Sequence, residues 1–396
     1  MTKPIQRIAV NCGGGYIPGL DAVVAGAARV AHGLGWDVVG IHDGYDGLLC
    51  PERYPEGGLL KLTAKAVEAL AIGDGNTLGT GARNDPFRMR AVNAEHEVEE
   101  VDRSDDLLRM LAEHGIDAVV SIVGGSSITG LHALSVAFKL SRKGLRTICV
   151  PKSVENEIAS VPQAFGYNSV LSHVTETLLR IRAGAQDVGR IAVVEVPGHH
   201  AGWLALQAGI GALANAVLIP EMPYDLAKVA AAMAAHERDG RRPALVVVAE
   251  GARPASTGAA EGAPSPPRSG GLRASLTPNA DPDFGEGRYV IDRSGAAAQS
   301  VAATLQRLTD RDALPLALGP LVRGGAPTAV DRQLGLAFGA AAVRALHEGQ
   351  SGAMVTIHPP DIACVPLVET LNRVRTIPAA SEFVNIARAL GIALGD

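Results

Sequence analysis

Aromatic residues are scarce in this chain of 396 residues, which has two Trp, six Tyr and six Phe. A core with so few rings must be filled by Ala, Val, Leu and Ile, and an apolar content of 47% supplies enough of them to exclude a wholly disordered chain. Cysteine is scarce too. Cys12, Cys50, Cys149 and Cys364 stand far apart with no CxxC spacing, which excludes a disulfide scaffold and a local thiolate metal site and reads as reduced thiols. Neither sign of charge dominates: 36 Lys and Arg against 41 Asp and Glu leave a net charge of -5, so no basic field draws in nucleic acid or a membrane surface. Long hydrophobic runs are also missing. Only Ile8 to Val10 follow the polar opening before a polar residue and glycines, too few for a secretory core, and no later run of about 18 apolar residues could span a bilayer. The expectation is a soluble cytoplasmic protein with neither nucleic acid nor membrane as partner, and the length suggests two domains.

What the chain has in excess is glycine, 46 residues of it. The glycines follow short apolar runs and precede helix-like stretches. Arg7 to Val10 leads into Gly13-Gly14-Gly15 and then Ala22 to Leu34; Ala118 to Val123 leads into Gly124-Gly125-Ser126-Ser127 and then Gly130 to Leu140. Thr147 to Val150 runs into Pro151-Lys152-Ser153, and Ile191 to Val196 into Pro197-Gly198-His199-His200. The runs are nearly continuous in apolar residues rather than alternating, as expected of strands covered by helices on both faces. Strand, glycine turn and helix in repetition predict an α/β fold with a parallel sheet, and ligands of such sheets bind beyond the carboxyl ends of the strands. Further strand-like runs are Ala216 to Ile219 and Ala244 to Ala249, the latter closed by Glu250. Residues 251–287, rich in Pro, Gly, Ser and Ala, break this rhythm and read as an exposed, mobile insertion.

Several segments carry side chains that suit phosphate chemistry. Gly13-Gly14-Gly15 lies between a strand and a helix, where backbone N–H groups can face an anion, but it is neither GxGxxG nor a Walker A motif. It is open to two readings, an ordinary tight turn or a phosphate cradle, and the second glycine turn at Gly124-Gly125 favours the cradle. The segment Lys152 to Glu157 puts a lysine and the carboxylates of Glu155 and Glu157 just past a strand end. A lysine can neutralise a phosphoryl group, and two carboxylates can divide the work of base and metal ligand; taken alone, the segment reads as a solvated charged loop. His199-His200 is either a turn pair or a ligand contact. Glu250 and Arg323, each closing an apolar run, suit a hydroxyl and a sugar phosphate.

In this order the segments resemble the phosphofructokinase family, from Ile8 to about Leu394. The resemblance rests on Gly13-Gly14 with Pro18-Gly19-Leu20, Ile41 to Leu48, Leu78 to Arg83, Val123-Gly124-Gly125, Pro151 to Glu157, Phe165-Gly166-Tyr167, Val193 to Val196 with Gly198, Pro220-Glu221, Glu250, Arg323 to Gly325 and Asp331-Arg332. It implies two Rossmann-like three-layer αβα domains with mostly parallel sheets and an active site in the cleft between them. Residues 1–160 with about 322–373 would bind the donor. Residues from about 161 to 321 with 374–396 would bind the acceptor and carry the insertion. The implied activity is transfer of a phosphoryl group from ATP or pyrophosphate, with Mg2+, to a hydroxyl of a sugar phosphate or sugar-like acceptor, in a homodimer or homotetramer. Glu155 takes the position of the catalytic base, with Lys152 and Glu157 beside it; Gly14, Arg83, Gly125, Ser126 and Ser127 take the donor phosphate positions. Ser153, Arg190, Gly198, His199, Glu250 and Arg323 take the acceptor positions, and Glu157 that of a metal-assisting carboxylate.

The departures from the family fall on the chemistry. Ser126 and Ser127 stand where the family carries Gly-Gly-Asp-Gly or Gly-Gly-Asp-Asp, and a serine lacks the anionic charge a hard cation favours, which weakens the Mg2+ site. The family's Thr-Ile-Asp-Asn-Asp reads Ser153-Val-Glu-Asn-Glu157, its Met-Gly-Arg reads Pro197-Gly198-His199, and a histidine and an arginine of the sugar-phosphate site read Pro320 and Leu314. An acceptor other than fructose 6-phosphate follows as the expectation. The alternative is a catalytically degenerate paralogue that binds a nucleotide or phosphorylated metabolite in a regulatory role.

Overall fold

The computed structural model describes residues 3–81, 85–92, 96–124, 128–240, 242–255, 295–371 and 373–396. It divides into two units, Met1–His173 with Pro320–Arg375 and Val174–Gly319 with Thr376–Asp396. The donor positions Arg83, Gly125, Ser126 and Ser127, and all but the first five residues of the proposed insertion, lie outside the described residues.

The first unit is built on the apolar runs read above. Its strands are β1 (Arg7–Cys12), β2 (Asp37–Ile41), β3 (Leu59–Lys61), a separate hairpin of β4 (Met89–Val92) and β5 (Val98–Val101), then β6 (Ala118–Val123) and β7 (Thr147–Pro151). Its helices are α1 (Leu20–Gly33), α2 (Asp46–Leu49), α3 (Ala64–Ile72), α4 (Ser104–Glu113) and α5 (Ile128–Arg142), and α6 (Tyr167–Val188) follows. In the second unit come β8 (Ile191–Val196), α7 (Trp203–Gly211), β9 (Ala216–Leu218), α8 (Leu226–Arg238), β10 (Leu245–Ala249), α9 (Ala296–Thr309) and β11 (Ala313–Ala317). The chain then returns to the first unit with α10 (Ala329–His347), β12 (Ala353–His358), β13 (Asp361–Pro366) and α11 (Leu367–Thr370), and ends in the second with α12 (Glu382–Ala389).

Among the described residues, the sheet of the first unit runs β13-β12-β7-β6-β1-β2-β3, parallel except for β3 and β13 at its two edges. Every residue of β6 and β7 is buried, which is why neither strand alternates in polarity. Register sets the site. Cys12 pairs with Ile122 and Val123 with Pro151, so the ends of β1, β6 and β7 lie side by side, and the segments beginning at Gly13, Gly124 and Lys152 leave the same edge of the sheet. Helices α1 and α10 pack with almost no space between their backbones: a β-carbon at Gly26 would lie 2.1 Å from the carbonyl oxygen of Leu336, and one at Gly339 the same distance from that of Val23. Glycine is needed at both positions for this approach.

The sheet of the second unit runs β11-β8-β10-β9 with all strands parallel. Its core is aliphatic, built on Ile191, Val193, Leu218, Val229, Val246, Val248, Val301 and Leu305, with Tyr224 as the ring among its buried residues. Val196 pairs with Ala249, so the segments after β8 and β10 emerge together. Carboxylates from elsewhere in the chain, buried at Glu195 and Asp331 and half-buried at Glu221, meet the starts of three helices. Glu195 accepts from the amide of Ala298 in the first turn of α9, Glu221 accepts from Gly202 at the start of α7, and in the first unit Asp331 accepts from Ser169 at the start of α6.

Candidate functional site

At the carboxyl edge of the first sheet, the turn after β1 contains Gly14 at φ +84°, where a side chain would be strained. The amides of Gly13 and Gly14 are already given to the carbonyls of Ile122 and Gly81, at 3.0 and 2.9 Å. An anion at this turn therefore meets cations rather than these two N–H groups. The ammonium of Lys152 donates to the carbonyl of Gly15 and lies near the thiol of Cys12, and a β-carbon at Gly15 would lie 3.0 Å from Nη1 of Arg323. Burial pushes the Lys152 ammonium down, Cys12 counters this, and Arg323 pushes it down further. All four cysteines are unbridged, and Cys12 is buried.

Beyond Lys152, the chain turns back on itself around one hydroxyl. Ser153 Oγ accepts from the amides of Glu155 and Asn156, both at 2.9 Å, and donates to the Glu157 carboxylate. Asn156, at φ +55°, is held through its side chain, which accepts from Ala164 N and donates to Pro162 O. Lys152, Ser153, Glu155, Asn156 and Glu157 are 0–6% exposed, which overturns the reading of a solvated charged loop. Burial and the neighbouring charge of Glu155 push the Glu157 carboxyl up to about 8, against the hydrogen bond from Ser153 and the charge of Arg323. A small cavity of about 30 Å³ abuts the glycine turn, and its walls include Asn11, Gly13, Asp43, Tyr45, Ser121 and His132. His132 Nε2 lies 3.1 Å from the carboxylate of Asp85.

In the second unit, Gly198 and His199 follow β8 and Glu250 follows β10. His199 Nδ1 lies 3.1 Å from Glu250 Oε2, with the two side chains 11% and 3% exposed. The loops are locked together: Gly251 N donates to Gly198 O, and a β-carbon at Gly251 would meet His199 O at 2.0 Å. Arg190 is elsewhere. It precedes β8, pairs with Asp312 at 3.3 Å, and so lies at the opposite edge of this sheet, a strand length or roughly 20 Å away. Among the described residues, no group of three or more His, Cys, Asp or Glu is placed to hold a metal, and no helix is long and apolar enough to cross a membrane.

In α/β sheets ligands bind beyond the carboxyl ends of the strands, which is where these buried charged groups lie. A family model described as Phosphofructokinase matches residues 7–346, and the chain belongs to that family, whose members are phosphotransferases. It is 34% identical to the ATP-dependent 6-phosphofructokinase of Chloroflexus aurantiacus over 100% of this chain and 99% of that protein. Among solved structures, phosphofructokinase from Saccharomyces cerevisiae matches 92% of this chain at 26% identity and a TM-score of 0.70; the match spans 45% of the yeast chain, less than half its length. A pyrophosphate-dependent phosphofructokinase from Marinobacter aquaeolei shares the fold at 19% identity and a TM-score of 0.71, over 99% of this chain and 93% of that one.

Proposed function

We propose that this chain transfers a phosphoryl group from ATP to a hydroxyl of a sugar phosphate or sugar-like acceptor other than fructose 6-phosphate. The observation that carries this reading is the meeting of Lys152 and Arg323 at Gly15, beside the buried carboxylates of Glu155 and Glu157. Phosphoryl transfer needs little covalent help from a protein; positioning and neutralisation of spreading negative charge supply most of the rate. Two cations against a turn without side chains meet that need. In this reading Glu155 takes the proton of the acceptor hydroxyl, Lys152 neutralises the group in transfer, and Arg323 holds the acceptor phosphate. Gly14, Arg83, Gly125, Ser126 and Ser127 line the donor phosphates, and Ser153, Gly198, His199 and Glu250 serve the acceptor.

ATP is favoured over pyrophosphate because the Chloroflexus relative, alike over its whole length, is named ATP-dependent. Glu155 and Glu157 offer the hard oxygen ligands that suit Mg2+, which commonly takes one or two carboxylates and completes its shell with phosphate and water, so Glu157 would hold it. When bound, the ion neutralises donor charge. Arg190 lies at the far edge of its sheet, and in a homodimer or homotetramer it would serve the acceptor of another copy of the chain.

The test is turnover. Purified protein with ATP and Mg2+ is expected to release ADP with at least one member of a sugar and sugar-phosphate panel, and Glu155→Gln to lose about 100-fold or more of that rate. Absence of turnover with either ATP or pyrophosphate rejects the reading. Ligand binding without turnover and without Mg2+ dependence would instead mark a regulatory paralogue.

A further inference from the structure

We propose that Arg375 is a positioning residue that fixes the direction of the Glu155 and Glu157 side chains. The proposal rests on the catalytic reading of that segment given above. Asn156 stands between the two carboxylates with left-handed backbone at φ +55°, a conformation that asparagine adopts more readily than most side chains and that its bonds to Pro162 and Ala164 hold in place. Ser153 grips the segment from one side through the amides of Glu155 and Asn156. Arg375 holds it through its carbonyls. Nε and Nη2 both donate to the carbonyl oxygen of Asn156, at 3.1 and 2.8 Å, and the Arg375 amide donates to the carbonyl of Glu157 at 2.8 Å.

Three bonds thus come from one residue 219 positions further along the chain. A rotation of the peptide after Asn156 would turn its carbonyl away from the fork and swing the Cα–Cβ bond of Glu157, with Glu155 following through the shared Ser153 hydroxyl. The guanidinium is half-buried, and Tyr167 and Glu157 are the titratable groups that face it. Its Nε and Nη2 are given to the backbone carbonyl of Asn156. A lysine at this position keeps the charge and one bond but not the planar pair of donors.

The experiment compares the full-length protein with Arg375→Met and Arg375→Lys by steady-state kinetics and by amide hydrogen exchange read by mass spectrometry. In Arg375→Met, kcat is expected to fall roughly 10- to 100-fold, the effect of misplacing a catalytic group by about 1 Å, while both KM values stay within about threefold. Exchange should rise in peptides covering 153–158 and stay unchanged in β1 and β6, and Arg375→Lys should recover part of kcat. A kcat within about twofold of the parent, or a loss confined to KM, overturns the proposal. Should the parent protein show no turnover with any acceptor, the catalytic reading fails and the exchange arm still decides: unchanged protection over 153–158 refutes positioning, and local opening supports it. If Arg375→Met does not fold, Arg375→Gln and Arg375→Lys carry the same comparison.

Discussion

The ammonium of Lys152, 2% exposed, donates its hydrogen bond to the carbonyl oxygen of Gly15. A cation is seldom buried against a backbone carbonyl for stability alone, because desolvation opposes the charge. Lys152→Met keeps the length of the side chain and removes the charge. The variant is expected to fold with a melting temperature equal to or above that of the parent, and to lose about 10- to 100-fold in kcat/KM for the donor, as expected for a hydrogen bond to a charged group worth about 1.5–3 kcal/mol. Calorimetric melting and donor titrations check both halves. Unaltered donor kinetics would remove Lys152 from the site.

The carboxyl of Glu157 makes stability depend on pH. In the folded protein it is pushed up to about 8, whereas in the unfolded chain it ionises near 4.5. Between those values the native state holds a proton that the unfolded state has lost, so stability falls as pH rises through this window and levels above about 8. The slope contributed is at most about 1.4 kcal/mol per pH unit. Glu157→Gln is neutral throughout and should lack this part of the slope, which makes it more stable than the parent above pH 8. Urea melts of both proteins across the window, in buffer without divalent ions, measure the difference. Parallel curves would show that Glu157 ionises alike in both states.

Strand positions were legible in the sequence where the apolar run was continuous. Ala118–Val123 and Ile191–Val196 have the bounds the sequence suggests, and Ala22 to Leu34 became the helix Leu20–Gly33. Continuous burial leaves a pattern in the strand itself. The environment of Lys152 to Glu157 leaves none, since Gly15, Pro162, Ala164 and Arg375 enclose it from distant parts of the chain. For the same reason Arg375 gave no local signal. Arg190 is a different case: it precedes β8 whereas Gly198 and His199 follow it, and in a parallel sheet that order alone separates them by the length of the strand.

The close passage of α1 over α10 predicts a stability effect remote from the site. Gly339→Ala would drive a β-carbon to 2.1 Å from Val23 O and 2.7 Å from Ala27 N, both backbone atoms that cannot rotate away. The helices must separate. A loss of about 1–3 kcal/mol is expected, read as a lower urea midpoint with an unchanged slope. Helix propensity runs the other way, since alanine in a helix interior is favoured over glycine by about 1 kcal/mol. A stabilised variant would therefore mean that the contact relaxes more easily than the packing suggests.

His199 and Glu250 are where acceptor choice should be decided. The imidazole Nδ1 stands 3.1 Å from a carboxylate that is 3% exposed, so the histidine has a fixed direction and the carboxylate a fixed neighbour. An imidazole is shorter than a guanidinium and carries a full charge only when protonated, which makes it a poor holder of a dianionic phosphate and an adequate partner for hydroxyl groups. Glu250→Gln should raise KM for the acceptor about tenfold and leave KM for the donor unchanged, because one hydrogen bond to a charged acceptor, worth about 1.5 kcal/mol, is lost. His199→Arg tests the converse. A guanidinium there keeps the contact with Glu250 and reaches further, so kcat/KM for fructose 6-phosphate should rise at least about tenfold over the parent while activity with the preferred acceptor falls. If the arginine variant loses activity with every acceptor in equal measure, His199 supports the loop and does not select the substrate.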